Sequence, residues 1–326
     1  MNNRINYIDQ LKGLAILLVV MGHVAEISMN ITTTPFNIFK GSFHMPLFMF
    51  LSGIFAFKSF KRWSIDEILY FLRRKTLRII FPFIIIGGVY SSLFCDKVTD
   101  VYLGVSPSFW FLPALFYCMM YALIVNIIID RINYFDNYWG VLLTHFIWWA
   151  IPSLLYYNDL LLNIPFFLHA IKMYPFFIMG TLFSKYDILK KKVINSNSLF
   201  SISIIGYLLC LLFQHRLPIQ FSFTGIFAII ILINIFSKND FLFKKEMTYI
   251  GRHSLEIYVF HWFLLPSLNS FGNWLLIQNT GTNQNFIILI CITLIISIPI
   301  IYSSIFISFM IKNSKFLNAL CFGSFK

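Results

Sequence analysis

Long apolar runs alternate along the chain with short polar stretches rich in lysine and arginine. Ten such runs stand out: 11–29, 43–60, 77–95, 108–129, 138–157, 165–184, 198–214, 220–237, 254–277 and 286–311. Each approaches or exceeds the roughly 20 residues that a helix needs to cross a hydrocarbon core about 30 Å thick. Inside such a core every backbone polar group must be satisfied within its own segment, which selects helices. The pattern therefore predicts an all-α, polytopic membrane protein with about ten transmembrane helices, organised as a single domain over 1–326. The connectors are short, the largest running from about 61 to 76, and no internal repeat is visible. Any site must then be built from helix ends and the membrane interior. The first run is long and lacks a small-residue cleavage site, so it reads as a membrane helix and not as a cleavable signal peptide.

Composition sharpens this. Hydrophobic residues make up 59% and charged residues only 12%, against about 25% charged in an ordinary soluble domain. The formal net charge of +12 would suit nucleic acid or anionic lipid, but its distribution points elsewhere. With a cytoplasmic amino terminus, 21 of the 25 basic residues fall in alternate, inner connectors, leaving Lys40, Lys97, Lys172 and Arg216. That bias sets orientation, with both termini cytoplasmic and membrane lipids as the surrounding partner. A basic stripe interleaved with aromatics, as nucleic-acid binding needs, is absent from the sequence. The five cysteines show no Cys-x-x-Cys or Cys/His spacing, so they read as packing residues and no metal is expected.

The first run carries the candidate chemistry. Asp9…Leu11-Lys12-Gly13-Leu14-Ala15-Ile16…His23 opens on a lysine and holds a histidine near its far end. Eleven residues of helix make about three turns plus roughly 20°, so Lys12 and His23 share a face about 16 Å apart. Glu26 follows within one turn of His23. An ionisable ring at that depth is costly unless it pairs, meets water or does chemistry. Imidazole titrates near neutral pH, which suits it to take a proton from a hydroxyl. Elsewhere, His169 and Lys172 fall on one face of the sixth run, and Lys172 lies well inside an apolar stretch, which implies a polar cavity there.

A basic residue, ten intervening residues and a histidine in the first membrane helix resemble the signature of the acyltransferase 3 family, membrane enzymes that O-acylate glycans and related acceptors. Three further segments resemble family elements in order. Ser42-Phe43-His44-Met45-Pro46 opens the second run, Trp110-Phe111-Leu112-Pro113 the fourth, and Ile250-Gly251-Arg252-His253-Ser254-Leu255-Glu256…His261 the ninth. The connector 58–78 ends in Arg73-Arg74-Lys75-Thr76-Leu77-Arg78, where the family carries a basic pair three apart serving an acyl-coenzyme A donor. Here that spacing falls on Lys75 and Arg78, with Arg74 four residues before Arg78.

The resemblance implies an O-acetyltransferase of the bacterial cytoplasmic (inner) membrane, moving an acetyl group from cytoplasmic acetyl-CoA to a hydroxyl of a cell-envelope glycan or its lipid-linked precursor. On it, His23, Glu26 and His44 are the catalytic candidates. Lys12, Arg74, Lys75, Arg78 and His261 would hold the donor, and Trp110, His169 and Lys172 the acceptor. The competing reading is a multi-pass transporter or flippase for a lipid-linked glycan, which usually carries repeats and broken spans in corresponding halves. The sequence leaves open the acceptor sugar and its hydroxyl, the acyl group beyond a short one, direct transfer against an acyl-histidine intermediate, and the oligomeric state.

Overall fold

The computed structural model describes residues 6–32, 34–56, 64–132, 138–158, 164–212, 220–238, 243–278 and 285–324. The basic residues Arg4, Lys58, Lys61, Arg62, Arg216 and Lys326 of the charge pattern lie outside them. Helices fill most of what is described, and no strand occurs among the described residues. In chain order they are α1 (Asn6–His23), α2 (Pro35–Gly41), α3 (His44–Ile54), α4 (Ile65–Lys75), α5 (Phe81–Phe94), α6 (Phe111–Ile132), α7 (Tyr138–Tyr157) and α8 (Phe167–Lys185). There follow α9 (Asp187–Asn195), α10 (Asn197–Leu212), α11 (Gln220–Lys238), α12 (Lys244–Arg252), α13 (Ser254–Phe260), α14 (Asn269–Gln278), α15 (Asn285–Lys312) and α16 (Lys315–Phe322). Two compact units result, one of 1–51 with 191–310 and one of 52–190 with 311–326.

Five stretches among the described residues are by themselves long and apolar enough to cross a membrane: Asn6–Ser28, Ile65–Phe94, Phe111–Arg131, Trp139–Tyr156 and Ile287–Lys312. The pair α9 and α10, bent by 73°, would add a sixth. The protein is thus a helical, multi-pass membrane protein, with five to six such spans among the described residues where ten were expected over the whole chain. Of the other apolar runs, the sixth is the continuous α8 of 19 residues, and two are built from shorter or interrupted helices. The second run contains only α3, of 11 residues, before the described chain stops at 56. The ninth, 254–277, breaks after α13 into a 3₁₀ turn at His261–Leu264, non-helical backbone at 265–268 containing Pro266, and then α14. The expected connector 61–76 is also different. Ser64 and Glu67 form a capping box, with Glu67 N–H donating to Ser64 Oγ and Ser64 N–H to Glu67 Oε2. That cap starts helix at Ile65, and the chain stays helical to Phe94.

In the first unit α1 is the core element. Ile8, Leu11, Ala15, Ile16 and Val20 are almost wholly buried. It crosses α12 at near-contact distance: a Cβ on Gly13 would lie 2.1 Å from the Met247 carbonyl oxygen, and one on Gly251 1.8 Å from that of Asp9. Only glycine at both positions permits this backbone approach. Beyond His23 the helix widens into a π turn over Val24–Ser28. The broken ninth run docks there, with Leu268 N–H donating to the Ser28 carbonyl at 2.8 Å. Irregular backbone is tolerated at membrane depth when protein satisfies it in this way.

In the second unit a π turn at Thr76–Ile80 joins α4 to α5. Pro82 has no N–H to give the carbonyl four residues back, and a widened turn is one way a helix accommodates that. Helix α16 packs against this turn and α5. Helices α6, α7 and α8 pack together, tied by Trp149 Nε1–H donating to the Ile171 carbonyl at 2.9 Å. Cys118 is buried there, whereas Cys291, in α15 of the first unit, is exposed, so the cysteines are not uniformly packing residues.

Candidate active site

The first unit assembles most of the expected catalytic residues at one end of α1. The helix is unbroken from Asn6 to His23, so Lys12 and His23 keep their shared face and separation of about 16 Å. His23 is the last α-helical residue before the π turn, a place where helix register changes and side chains are re-aimed. Its ring stacks on that of His261, with centroids 5.3 Å apart and planes 14° from parallel, and lies 4.4 Å from the Trp262 ring. The His261 and Trp262 rings both come from the 3₁₀ turn at which the ninth run breaks.

The rings differ in how they are held. His261 Nδ1 lies 2.9 Å from the Ile257 carbonyl, and His44 Nδ1 lies 2.7 Å from the Lys40 carbonyl. A carbonyl oxygen only accepts, so both rings carry their proton on Nδ1 and present Nε2 as an acceptor. His23 Nδ1 is buried with no hydrogen-bond partner among the described residues, and so is His261 Nε2. Buried polar atoms are ordinarily bonded, so two orphaned imidazole nitrogens on stacked rings are unusual.

Glu26 is not directed at His23. Its Oε1 pairs with Lys40 Nζ at 2.8 Å. Lys40 is buried, and its ammonium passes so close over α1 that a Cβ on Gly22 would lie 2.2 Å from Nζ. Lys40 thus links the end of α1 to His44 through its side chain and its carbonyl. At the other end of α1, Lys12 Nζ lies 4.0 Å from Asp9 Oδ1, and Arg252 Nε donates to Asp9 Oδ2 at 3.5 Å. Asp9 is almost wholly buried. In the ninth run Glu256 sits 3.5 Å from His253 Nδ1.

Sequence reasoning missed Lys40, Trp262, Asp9 and Arg252 as parts of these clusters. Lys40 did carry a signal, as one of four basic residues outside the inner connectors. Nothing in the sequence foretold that Trp262 would turn back onto His23.

The second unit holds the remaining candidates, in two places. Arg74 and Lys75 end α4 and Arg78 lies in the π turn, so these cations stand on a helix where a loop was expected. Arg78 is exposed, and Lys75 Nζ lies 5.3 Å from the Phe71 ring centroid. Trp110 and His169, both expected to meet the acceptor, are brought together with ring centroids 4.6 Å apart. Trp110 directly follows Phe109, and His169 lies three residues after Phe166, which precedes α8; both phenylalanines are buried in the left-handed backbone region, at φ 60° and φ 63°. A bulky residue there costs on the order of 1–3 kcal/mol, and such strain is concentrated at sites where geometry matters. Lys172 and His169 are both exposed, so Lys172 does not sit in an enclosed polar cavity. His145, to which the sequence assigned no role, is buried against the Tyr174 hydroxyl at 2.8 Å.

Among the described residues no group of three or more His, Cys, Asp or Glu side chains is placed to hold a metal ion. The family model described as an acyltransferase domain matches residues 5–302. No curated protein and no solved structure matches the chain significantly.

Proposed function

The chain belongs to the acyltransferase 3 family and is a membrane acyltransferase, and on that premise we propose that it transfers an acetyl group from acetyl-CoA to a hydroxyl of a cell-envelope polysaccharide or its lipid-linked precursor. The transporter or flippase reading, compatible with hydropathy alone, falls with the family assignment. The observation that carries the reaction is the buried, unbonded Nδ1 of His23 at the junction of α1 with its π turn.

A hydroxyl becomes a competent nucleophile when a positioned base removes its proton as it attacks. In its Nε2–H tautomer His23 offers a lone pair on Nδ1. The hydroxyl oxygen attacks the thioester carbonyl carbon while its proton passes to Nδ1. The C–O bond forms, the C–S bond breaks, and the departing coenzyme A thiolate takes the proton back from the ring. The His261 ring, with Nδ1 held on the Ile257 carbonyl, offers Nε2 as an acceptor for a second hydroxyl of the glycan and so helps to orient it. His44, anchored on the Lys40 carbonyl, and the Lys40–Glu26 pair fix the end of α1 against α2.

In the same proposal both termini are cytoplasmic. Lys12, with Arg74, Lys75 and Arg78, faces the compartment that supplies acetyl-CoA, where guanidinium groups suit its phosphates. Trp110, His169 and Lys172 receive the sugar, the indole face stacking on the ring. Replacing His23 by alanine tests the reading. We expect transfer of radiolabelled acetyl groups to membrane glycan to be abolished while the variant accumulates in the membrane and elutes as the parent does. Retention of more than roughly a tenth of parental activity, short of the 10²–10⁴-fold contribution of a general base, would refute it.

A further inference from the structure

The proposed reaction puts a proton on His23 and, in the same step, negative charge on the thioester carbonyl oxygen. No group named above takes up that charge. In an apolar interior an uncompensated oxyanion is costly, and a donor already aimed at it acts far more strongly than in water. Lys40, in α2 of the first unit, is 4% exposed. Its ammonium lies over the turn of α1 that carries His23, where the three nearest neighbours of a Cβ on Gly22 would be Lys40 Nζ, Cε and Cδ. Its charge acts on the His23 and His44 rings alike. An ammonium offers three N–H donors. One goes to Glu26 Oε1 at 2.8 Å, and Nζ has no other hydrogen-bond partner among the described residues. It does not bond to His23 Nδ1, which is buried without a partner among the described residues.

We propose, resting on the acyl transfer set out above, that Lys40 is a further catalytic residue, its ammonium donating a hydrogen bond to the thioester oxygen as negative charge develops there. A fixed cation beside a base is by itself a cost, since it repels the proton that the base must accept. The cost is offset when an oxyanion forms next to both in the same step, so the placement of Lys40 suits this reaction better than it suits a purely structural ion pair. The hydroxyl oxygen bonds to the carbonyl carbon, the C=O electron pair moves onto oxygen, and Nδ1 of His23 takes the hydroxyl proton. Lys40 keeps all its protons and donates to the oxyanion through an N–H that Glu26 does not use. On collapse the electron pair returns to the carbonyl, the C–S bond breaks, and the thiolate takes the proton from His23. Glu26 holds the ammonium in place throughout.

The test follows acetyl transfer from radiolabelled acetyl-CoA to membrane glycan, with acetyl-CoA varied, in membranes holding equal amounts of each full-length variant. Lys40→Met should lower kcat by about 10²–10³-fold, the loss expected for one oxyanion donor, and leave KM for acetyl-CoA unchanged. Glu26→Gln keeps the ammonium and should lose less turnover than Lys40→Met, although it leaves a buried charge unpaired and should be the less stable of the two. A purely structural pair would rank turnover and stability alike, and that ranking overturns the proposal. Gly22→Ala puts a methyl group where the ammonium lies and meets the far end of a flexible side chain, so it should fold and serves if Lys40→Met does not. It should lower kcat at least roughly tenfold by displacing the donor. Parental turnover in Gly22→Ala, or more than roughly a tenth of parental kcat in Lys40→Met, overturns the role of Lys40 and leaves the acyl transfer standing. A parent protein that transfers no acetyl group refutes the proposed function and, with it, any role for Lys40 in that reaction.

Discussion

The Lys40–Glu26 pair gives a sharp energetic prediction, because its two partners are unequally buried. The Lys40 side chain is 5% exposed and that of Glu26 35% exposed, with 2.8 Å between Nζ and Oε1. Glu26→Gln leaves a buried ammonium without its counter-charge, and breaking a buried pair from one side costs about 3–5 kcal/mol. Lys40→Met removes the ammonium and keeps much of the stem's packing. It leaves a carboxylate with about a third of its surface open to hydration near the end of the span, so its loss should be that of an exposed pair, about 1 kcal/mol. The ordering Glu26→Gln worse than Lys40→Met is therefore expected, although the same contact is deleted in both. The double variant should sit near Lys40→Met, since neither charge then remains to be buried, and the coupling should be about 2 kcal/mol or more. Thermal unfolding in one detergent, followed by the fluorescence of the seven tryptophans, reads the difference. Glu26→Gln should lower Tm by on the order of 5–10 °C and Lys40→Met by a few degrees at most. Equal losses, a reversed order, or a double variant showing the sum of both would refute the argument from burial.

Further expectations concern the remaining elements. Gly13→Ala should fail to accumulate or lose at least about 1–3 kcal/mol of stability, because its Cβ meets the backbone of α12 and not a movable side chain; parental Tm would show that α1 and α12 do not cross so closely. Arg74→Gln with Arg78→Gln should weaken acetyl-CoA binding at least roughly tenfold and leave binding of the glycan acceptor unchanged, both measured by calorimetry. A loss of membrane insertion instead would make those cations a topology signal. In sealed vesicles, labelled acetyl-CoA supplied only at the cytoplasmic face should acetylate acceptor confined to the opposite face; transfer only with both on one side would contradict passage of the thioester along α1.

The sequence by itself determined the class of the protein and the chemistry worth seeking. Apolar run length is a local property, so a helical membrane protein was legible without any tertiary knowledge. So was the Lys12–His23 face, because 3.6 residues per turn fixes it along one unbroken helix. The Ser64–Glu67 spacing even held the start of α4, although the basic residues after it suggested a connector. Tertiary structure decided what depends on approach between distant segments. The rings of His261 and Trp262 meet His23 where the ninth run breaks and ties its backbone to the Ser28 carbonyl. Lys40 finds Glu26 only because Gly22 leaves room above α1. Hydropathy counts such residues one at a time and assigns each apolar run a straight helix. It has no term for a π turn, a broken span, or a lysine buried because its partner comes from another element. Those features arise where packing satisfies a cost that the local pattern alone would forbid.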